Sequence, residues 1–273
     1  GSYTLCRFGS SEPVAATLRD SPERFVCLAP NSVNASLRTT NVTGARPVPL
    51  AVSLNGQQWH VVGTYSFYTR PLFALLTPPS GPDRGGTQVT ISGVGLAANT
   101  EPALDGLHQY FCRFGRDRRV VGSYTAATQA LRCDSPPRDT SHTHDEGPTV
   151  VVSVTINDQD YTRVDEFQYY AEPMLSALLP PTGPAVGGTL ITVLGSSSFA
   201  LTDREARFAS YTCQLAHLRV PATRSAEDAR HLLCVAPALN RSSVEASGFS
   251  GSEGSYELPF TVSLNGQQFT PRA

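Results

Sequence analysis

The chain has few charged side chains and no long apolar run. Only 16% of its 273 residues are charged and the formal net charge is −2, so no basic stripe indicates a nucleic-acid partner. No apolar run reaches the roughly 18 residues of a membrane-spanning helix, so we expect no membrane contact by this segment. Residues Gly1–Ser10 lack the apolar core of a signal peptide, and a targeting signal would lie outside this sequence.

The sequence also lacks recognisable catalytic motifs. The sequence contains no glycine-rich phosphate loop that opens a helix and no nucleophile elbow, and nothing brings its scattered Ser, His and Asp residues together. The stretch Ser141–Pro148 contains four potential metal ligands: His142, His144, Asp145 and Glu146. A polar loop is the favoured interpretation of this stretch, because the other repeats have no His there. We therefore predict a non-enzymatic chain without metal or cofactor.

What the sequence does contain is repetition. The hexapeptide SLNGQQ occurs at Ser53–Gln58 and again at Ser263–Gln268, and VTINDQDY at Val154–Tyr161 is a drifted middle copy. Alternating residues before Asn-Gly or Asn-Asp predict a strand, a type I′ turn and the start of another strand, because both turn residues tolerate positive φ. The copies recur about every 100 residues, which is the common size of a small domain.

The six cysteines form three equally spaced pairs. The members of each pair are 21 residues apart in the sequence: Cys6 and Cys27, Cys112 and Cys133, Cys213 and Cys234. This spacing favours one disulfide in each repeat. Zinc ligation is disfavoured because no two cysteines lie two to four residues apart, whereas free thiols remain an alternative in a cytosolic protein.

Three tripeptides match the N-glycosylation pattern, and all lie in polar stretches between strand-like segments. The predicted acceptor residues are Asn34, Asn41 and Asn240. Asn34 and Asn240 follow the second cysteine of their repeats at nearly the same distance. Together with the cysteine pairs, these sequons indicate an oxidising, extracytoplasmic location.

A second repeated block opens two of the repeats: PPSGPDRGGTQVTISG at Pro78–Gly93 and PPTGPAVGGTLITVLG at Pro180–Gly195. Its prolines interrupt a strand, its glycines permit sharp turns, and the following residues alternate like a half-buried strand. Short strands with turn signals recur along the chain, a pattern typical of tandem β-sandwiches. The single helical candidate, Arg224–Cys234, is interpreted as a turn before a strand, because the aligned residues of the other repeats indicate strand.

The order of these motifs resembles the IPT/TIG family of immunoglobulin-like domains. The resemblance is carried by PPxGPxxGGTxVTIxG, then CRFG at Cys112–Gly115, then a second Cys near a Pro, and a final FQYY at Phe167–Tyr170. Such domains occur in plexins, Met-type receptors, fibrocystin-like ciliary proteins and certain transcription factors. The resemblance implies an all-β chain of immunoglobulin-like sandwiches with one disulfide each, at residues 1–70, 71–171 and 172–273.

In this alignment the first domain lacks its opening strands and the third lacks its last aromatic strand. The junctions at Pro71 and Pro173 leave no room for a flexible linker, which predicts a semi-rigid rod of modules.

The same resemblance implies a non-catalytic structural and protein-interaction segment of a larger extracellular or cell-surface glycoprotein. The exterior of a ciliary membrane is included among the expected locations. We expect its partners to be other proteins or neighbouring domains of the same chain, with glycans as further candidates and nucleic acid excluded. The alternative hypothesis is an accessory spacer or carbohydrate-binding region of a secreted carbohydrate-active enzyme.

Overall fold

The computed structural model describes residues 4–18, 24–31, 46–96, 110–138, 147–196, 199, 210–239 and 257–271. The regular elements in these ranges are β-strands, so the predicted all-β fold is confirmed. Among the described residues, no helix is long and apolar enough to cross a membrane. The strands, in chain order, are β1 Leu5–Phe8, β2 Val14–Leu18, β3 Phe25–Cys27, β4 Arg46–Ser53, β5 His60–Phe67, β6 Leu72–Thr77, β7 Ser80–Pro82, β8 Gln88–Val94, β9 Tyr110–Phe114, β10 Arg118–Thr125, β11 Ala130–Asp134, β12 Thr149–Thr155, β13 Thr162–Tyr170, β14 Leu175–Leu179, β15 Leu190–Gly195, β16 Thr212–Leu215, β17 Leu218–Arg224, β18 His231–Val235 and β19 Phe260–Ser263.

The described strands belong to three sheets. We call the strands of one sheet a module and number the modules one to three in chain order. Module one has the order β3-β2-β1-β4-β5, module two β6-β8-β11-β10-β9-β12-β13-β7, and module three β14-β15-β18-β17-β16-β19. Residues 1–72 and 93–108 form one compact unit, and residues 73–92 and 109–273 form a second. The domain ranges predicted above stay a prediction.

Each module folds its sheet back on itself at the strand between its two cysteines. In module two, β10 separates β9 from β11, and neighbouring strands are about 4.8 Å apart, so a flat sheet would place β9 and β11 about 10 Å apart. The Cα atoms of Cys112 and Cys133 are only 6.3 Å apart. The sheet therefore bends sharply along β10 and becomes two facing layers. The other two cysteine pairs have nearly the same separation, 6.3 and 6.4 Å.

A small residue at the bend makes this close approach possible. Gly122 on β10 lies opposite Cys133, and a Cβ on Gly122 would lie 2.9 Å both from Sγ of Cys133 and from Cδ1 of Leu131. The equivalent positions in modules one and three hold Ala16, opposite Cys27, and Ala222, opposite Cys234. A larger side chain at this position would collide with the bridge it faces.

The core of each module consists of apolar side chains from both layers. Modules two and three each bury a phenylalanine completely, Phe167 and Phe199, and fully burying such a side chain contributes about 1.5–3 kcal/mol. In module one, Phe8 packs edge-on against Tyr65 with ring centroids 5.0 Å apart. The core residues of module two include Val89, Ile91, Leu131, Val152, Val154 and Phe167, and those of module three include Val193, Phe199, Leu232, Phe260, Val262 and Leu264.

The stretch that resembled a helix in the sequence is a turn followed by a strand, as predicted. β17 ends at Arg224, and β18 begins at His231. Asp228 shapes the intervening turn, because its carboxylate accepts hydrogen bonds from the backbone N–H and the guanidinium of Arg230. These hydrogen bonds from Arg230 lower the pKa of Asp228 to about 2.

Candidate interaction site

The three copies of the repeated hexapeptide form the same structure, which we call the asparagine corner. The first corner is Ser53–Gln58, the second Thr155–Asp160 and the third Ser263–Gln268. In each corner the Asn side-chain oxygen accepts the backbone N–H groups of the residues two and three positions later. These distances are 2.9 and 3.0 Å in the first corner, 3.1 and 2.9 Å in the second, and 3.0 and 3.2 Å in the third.

The predicted type I′ turn is wrong. Among the corner residues only the one after Asn has positive φ: 75° at Gly56, 60° at Asp158 and 76° at Gly266. In the first corner the strands resume pairing only at Val52 and His60, so the connection is longer than two residues. The physical reason is that the Asn side chain takes the place of a backbone acceptor and holds a wider loop together.

An arginine guanidinium covers the aromatic residue that follows each corner. The distances from guanidinium carbon to ring centroid are 4.3 Å for Arg7 and Trp59, 3.9 Å for Arg113 and Tyr161, and 4.6 Å for Arg219 and Phe269. Such cation–π contacts contribute about 0.5–1 kcal/mol at exposed sites. In module three the arginine comes from the neighbouring strand β17, because Gln214 occupies the position of Arg113 and accepts a hydrogen bond from Arg219.

The third corner is docked on a loop of module two. We call residues 80–88 the acceptor loop, and it belongs to the same compact unit as the corner. The side-chain amide of Gln267 both accepts from the Gln88 N–H and donates to the Gln88 carbonyl, each at 2.9 Å. Gln267 therefore pairs with Gln88 as a neighbouring strand residue would.

Gln268 and Asn265 complete this contact. The Gln268 amide nitrogen donates to the Gly86 carbonyl at 2.8 Å, and its oxygen accepts from the Thr87 hydroxyl at 3.0 Å. The Asn265 amide nitrogen donates to the Ser80 carbonyl at 3.2 Å and to the Gln268 oxygen at 2.7 Å. Asn265 is only 5% exposed, and both polar atoms of its side chain make hydrogen bonds in the corner or in the contact.

Apolar side chains surround these hydrogen bonds. Leu264 of the third corner is 3% exposed. Pro82 and Pro173 line the same small gap as Leu264 and Val262. Tyr170, the last residue of β13, packs against the core of module three. The end of module two thus contributes to the packing of module three.

The acceptor loop is held in place by module two itself. Gly86 donates its N–H to the Ser135 carbonyl at 2.7 Å, and Ser135 donates to the Thr87 carbonyl at 2.8 Å. Gly85 has a φ of +76°, and a Cβ there would lie 2.5 Å from the carbonyl carbon of Pro136. The loop therefore lies flat on its own module, and backbone groups of Gly86 and Gln88 face the third corner.

The first and second corners differ from the third. In the first corner Leu54 is 62% exposed, and the residues from Leu54 to Gln58 are all exposed. The second corner carries a carboxylate, Asp158, which accepts hydrogen bonds from Arg119 and, at 2.9 Å, from the Tyr161 hydroxyl. The Arg119 hydrogen bond first, and the Tyr161 hydroxyl second, lower the pKa of Asp158.

Only some of the other predicted site residues lie among the residues that the structure describes. The cysteines pair as Cys6–Cys27, Cys112–Cys133 and Cys213–Cys234 in the structure. The described residues contain no cluster of three or more metal-binding side chains. The histidine-rich stretch and the sequons lie outside the described residues: His142, His144, Asp145, Glu146, Asn34, Asn41 and Asn240.

The described strands form immunoglobulin-like β-sandwiches, and the two cysteines of each module lie on the strands that flank the bend. No family model matches the chain. The chain is 27% identical to Plexin A3 of Danio rerio over 188 residues, which cover 68% of this chain and 9% of that protein. The chain thus resembles plexin-type IPT/TIG domains, as the motifs predict, and it spans about a tenth of this relative's length.

Two solved structures are also similar. The full extracellular region of plexin A4, domains 1 to 10, aligns with a TM-score of 0.46 and 17% identity, over 98% of this chain and 20% of that one. SGBP-B of the Bacteroides ovatus mixed-linkage glucan utilization locus, in complex with a mixed-linkage heptasaccharide, aligns with a TM-score of 0.28 and 11% identity, over 98% of this chain and 56% of that one.

Proposed function

We propose that this chain is a non-catalytic structural and protein-interaction segment of a larger extracellular glycoprotein, in which the third asparagine corner fixes module three against module two. The observation that carries the proposal is the docking of the third corner on the acceptor loop of module two. Asn265, Gln267 and Gln268 all use their side chains there, and each such hydrogen bond contributes about 0.5–1.5 kcal/mol.

The same contact supports the proposal of a semi-rigid rod. Tyr170 ends the last strand of module two and packs on the core of module three, and β14 begins only a few residues later, at Leu175. A linker this short, with Pro173 inside it, has few backbone conformations available. Rotation of one module against the other would also break the hydrogen bonds of Gln267.

The extracellular location is supported by the similarity to Plexin A3 and by the three cysteine pairs, because disulfides persist in oxidising compartments. The ciliary location stays a prediction. The alternative, an accessory region of a carbohydrate-active enzyme, also stays a prediction, and retention of the chain on a polysaccharide column would support it.

Residual dipolar couplings measured separately for modules two and three test the rigid contact. A rigid pair shares one alignment tensor. We expect Gln267→Ala combined with Asn265→Ala to make the tensors of the two modules diverge. The matched control is Gln57→Ala with Asn55→Ala, which changes the same residue types in the first corner and should leave the tensors of modules two and three equal. Different tensors in the unmodified chain would contradict the proposal.

A further inference from the structure

The pair Asn-Gly occurs twice in the sequence, as Asn55-Gly56 in the first corner and as Asn265-Gly266 in the third. In such a pair the backbone nitrogen of Gly can attack Cγ of the Asn side chain, because Gly has no Cβ to block the approach. The Asn side chain then loses ammonia. Each of these two corners is therefore a place where the chain can modify itself without an enzyme.

The internal structure of the corner assists this attack equally in both copies. Two backbone N–H groups donate to the Asn side-chain oxygen, at 2.9 and 3.0 Å for Asn55 and at 3.0 and 3.2 Å for Asn265. Negative charge develops on this oxygen when Cγ is attacked, and N–H groups aimed at such an oxygen stabilise that charge. The following Gly has nearly the same φ in both copies, 75° at Gly56 and 76° at Gly266.

The surroundings of Asn265 oppose the reaction. Its side chain is buried, and its amide nitrogen, which is the leaving group, donates to the Ser80 carbonyl at 3.2 Å. Loss of ammonia would leave this carbonyl without its donor, and burial screens the amide from water and base. Ser210 also forms a β-bridge with Asn265, which holds the backbone at the point of attack. Asn55, by contrast, is exposed.

The second corner has an equivalent Asn but a different following residue. Asp158 places a Cβ and a carboxylate beside its own backbone nitrogen, and this carboxylate accepts hydrogen bonds from Arg119 and Tyr161. Both features hinder attack of the Asp158 nitrogen on Asn157. Asn157 is therefore the least reactive of the three corner asparagines and an internal reference for the other two.

We propose that Asn265 is a site of spontaneous deamidation, that docking protects it, and that its modification releases the third corner from the acceptor loop. The protection depends on the docked contact of the proposed function. In the reaction the Gly266 nitrogen gives its proton to water and bonds to Cγ, the bond from Cγ to the amide nitrogen breaks, and ammonia leaves. Water then opens the succinimide ring to Asp or isoaspartate. The net reaction consumes water and releases ammonia, and nothing is oxidised or reduced.

Either product breaks the contact. A carboxylate at residue 265 has no N–H to donate, so it places negative charge against the Ser80 carbonyl and the Gln268 side-chain oxygen, which both accept from Asn265. Isoaspartate also adds a methylene group to the backbone and displaces Gln267. A contact that otherwise opens and closes would thus stay open once Asn265 has reacted.

Peptide mass spectrometry of the whole chain, incubated in mildly alkaline buffer, measures the three corner asparagines side by side. We expect Asn55 to deamidate about tenfold or more faster than Asn265, because a buried group reacts only from the locally opened state. Asn157 should be the slowest. Equal rates for Asn55 and Asn265 would overturn both the protection and the docked contact itself.

A double variant, Gln267→Ala with Gln268→Ala, removes docking side chains and leaves the Asn-Gly pair intact. We expect Asn265 to deamidate about tenfold faster in it, since the opened state becomes the common one. The matched control, Gln57→Ala with Gln58→Ala, shows how the same changes affect Asn55 and should leave the rate at Asn265 unchanged.

Residual dipolar couplings of the same double variant separate the possible failures. If the alignment tensors of modules two and three diverge but Asn265 reacts no faster, docking does not protect Asn265, and the proposed function still stands. If the tensors stay equal, these side chains do not hold the contact, and both proposals fail.

The variant Asn265→Asp reproduces one product directly. We expect hydrogen exchange of the Gln88 amide to become faster in it, because this N–H donates to Gln267 in the contact. The control Asn55→Asp should leave that exchange rate unchanged. Unchanged exchange in Asn265→Asp would overturn the release of the third corner by deamidation.

Discussion

The first and third corners have the same six residues and the same internal hydrogen bonds. They differ in what surrounds them, because the first corner faces solvent and the third contacts the acceptor loop. Leu264 is 3% exposed in the third corner, and Leu54 is 62% exposed in the first. Gln267 and Gln268 bind the acceptor loop, with Gln268 partly buried and Gln267 still exposed, whereas Gln57 and Gln58 are both exposed. The internal structure of the corner thus does not depend on docking. What docking adds is a set of contacts whose free energy is measurable, because residues 264–268 of the third corner have identical, exposed counterparts at residues 54–58 of the first.

The largest expected difference is between the two leucines. Leu264→Ala removes a buried side chain and should lower the free energy of unfolding by about 2–4 kcal/mol. Leu54→Ala changes an exposed side chain and should stay within about 0.5 kcal/mol of the unmodified chain. Chemical denaturation of both variants measures this difference. A similar loss in both would mean that the third corner is not docked in solution.

Asn265 and Asn55 should differ by less. Both hold their own corner together, so each change to Ala should cost about 1 kcal/mol for the lost hydrogen bonds from backbone N–H groups. Asn265→Ala additionally leaves the Ser80 carbonyl buried without this donor, and we expect a total cost of about 2–3 kcal/mol. Thermal or chemical unfolding of the two variants gives the difference, and equal costs would contradict the role of Asn265 in the contact.

The two glutamines, Gln267 and Gln57, should differ by less again. Gln267→Ala removes the two hydrogen bonds to Gln88 and should cost about 0.5–1.5 kcal/mol, whereas Gln57→Ala should cost almost nothing. Hydrogen exchange of the Gln88 amide is the most direct measurement, because this N–H donates to Gln267. It should become faster in Gln267→Ala and stay unchanged in Gln57→Ala.

The smallest effect concerns the second corner, which alone of the three contains acidic residues. Hydrogen bonds from Arg119 and Tyr161 lower the pKa of Asp158. A lowered folded-state pKa means that the stabilisation is present above the usual Asp pKa and is lost as the pH falls through the folded-state value. A carbon-13 NMR titration of the carboxyl group should therefore find a midpoint below that of an ordinary Asp. Arg119→Gln should raise it, and an unchanged midpoint would contradict the ion pair.

The sequence was sufficient for the all-β fold class and for the equivalence of the corners, because alternation and repetition are local patterns. The sequence could not predict that the third corner docks on the acceptor loop. Gln57 and Gln267 have the same neighbours in sequence and differ only in what lies opposite them in space. The turn type was mispredicted because Asn-Gly also suits a wider loop in which the Asn side chain accepts two N–H groups. The small residue at the bend could not be predicted from the sequence, because the equivalence of Ala16, Gly122 and Ala222 depends on the strand pairing.

The bond between the strands that flank the bend also has a mechanical consequence. A pulling force along the backbone enters module two from one side of the cysteine pair and leaves from the other. Because Cys112 and Cys133 are covalently joined, the force passes through the sulfur atoms and bypasses the residues between them. β10 and the bend at Gly122 therefore carry no tension. Each module can lengthen only outside its bridged loop, and this limits how far a stretched chain extends before its covalent bonds bear the load.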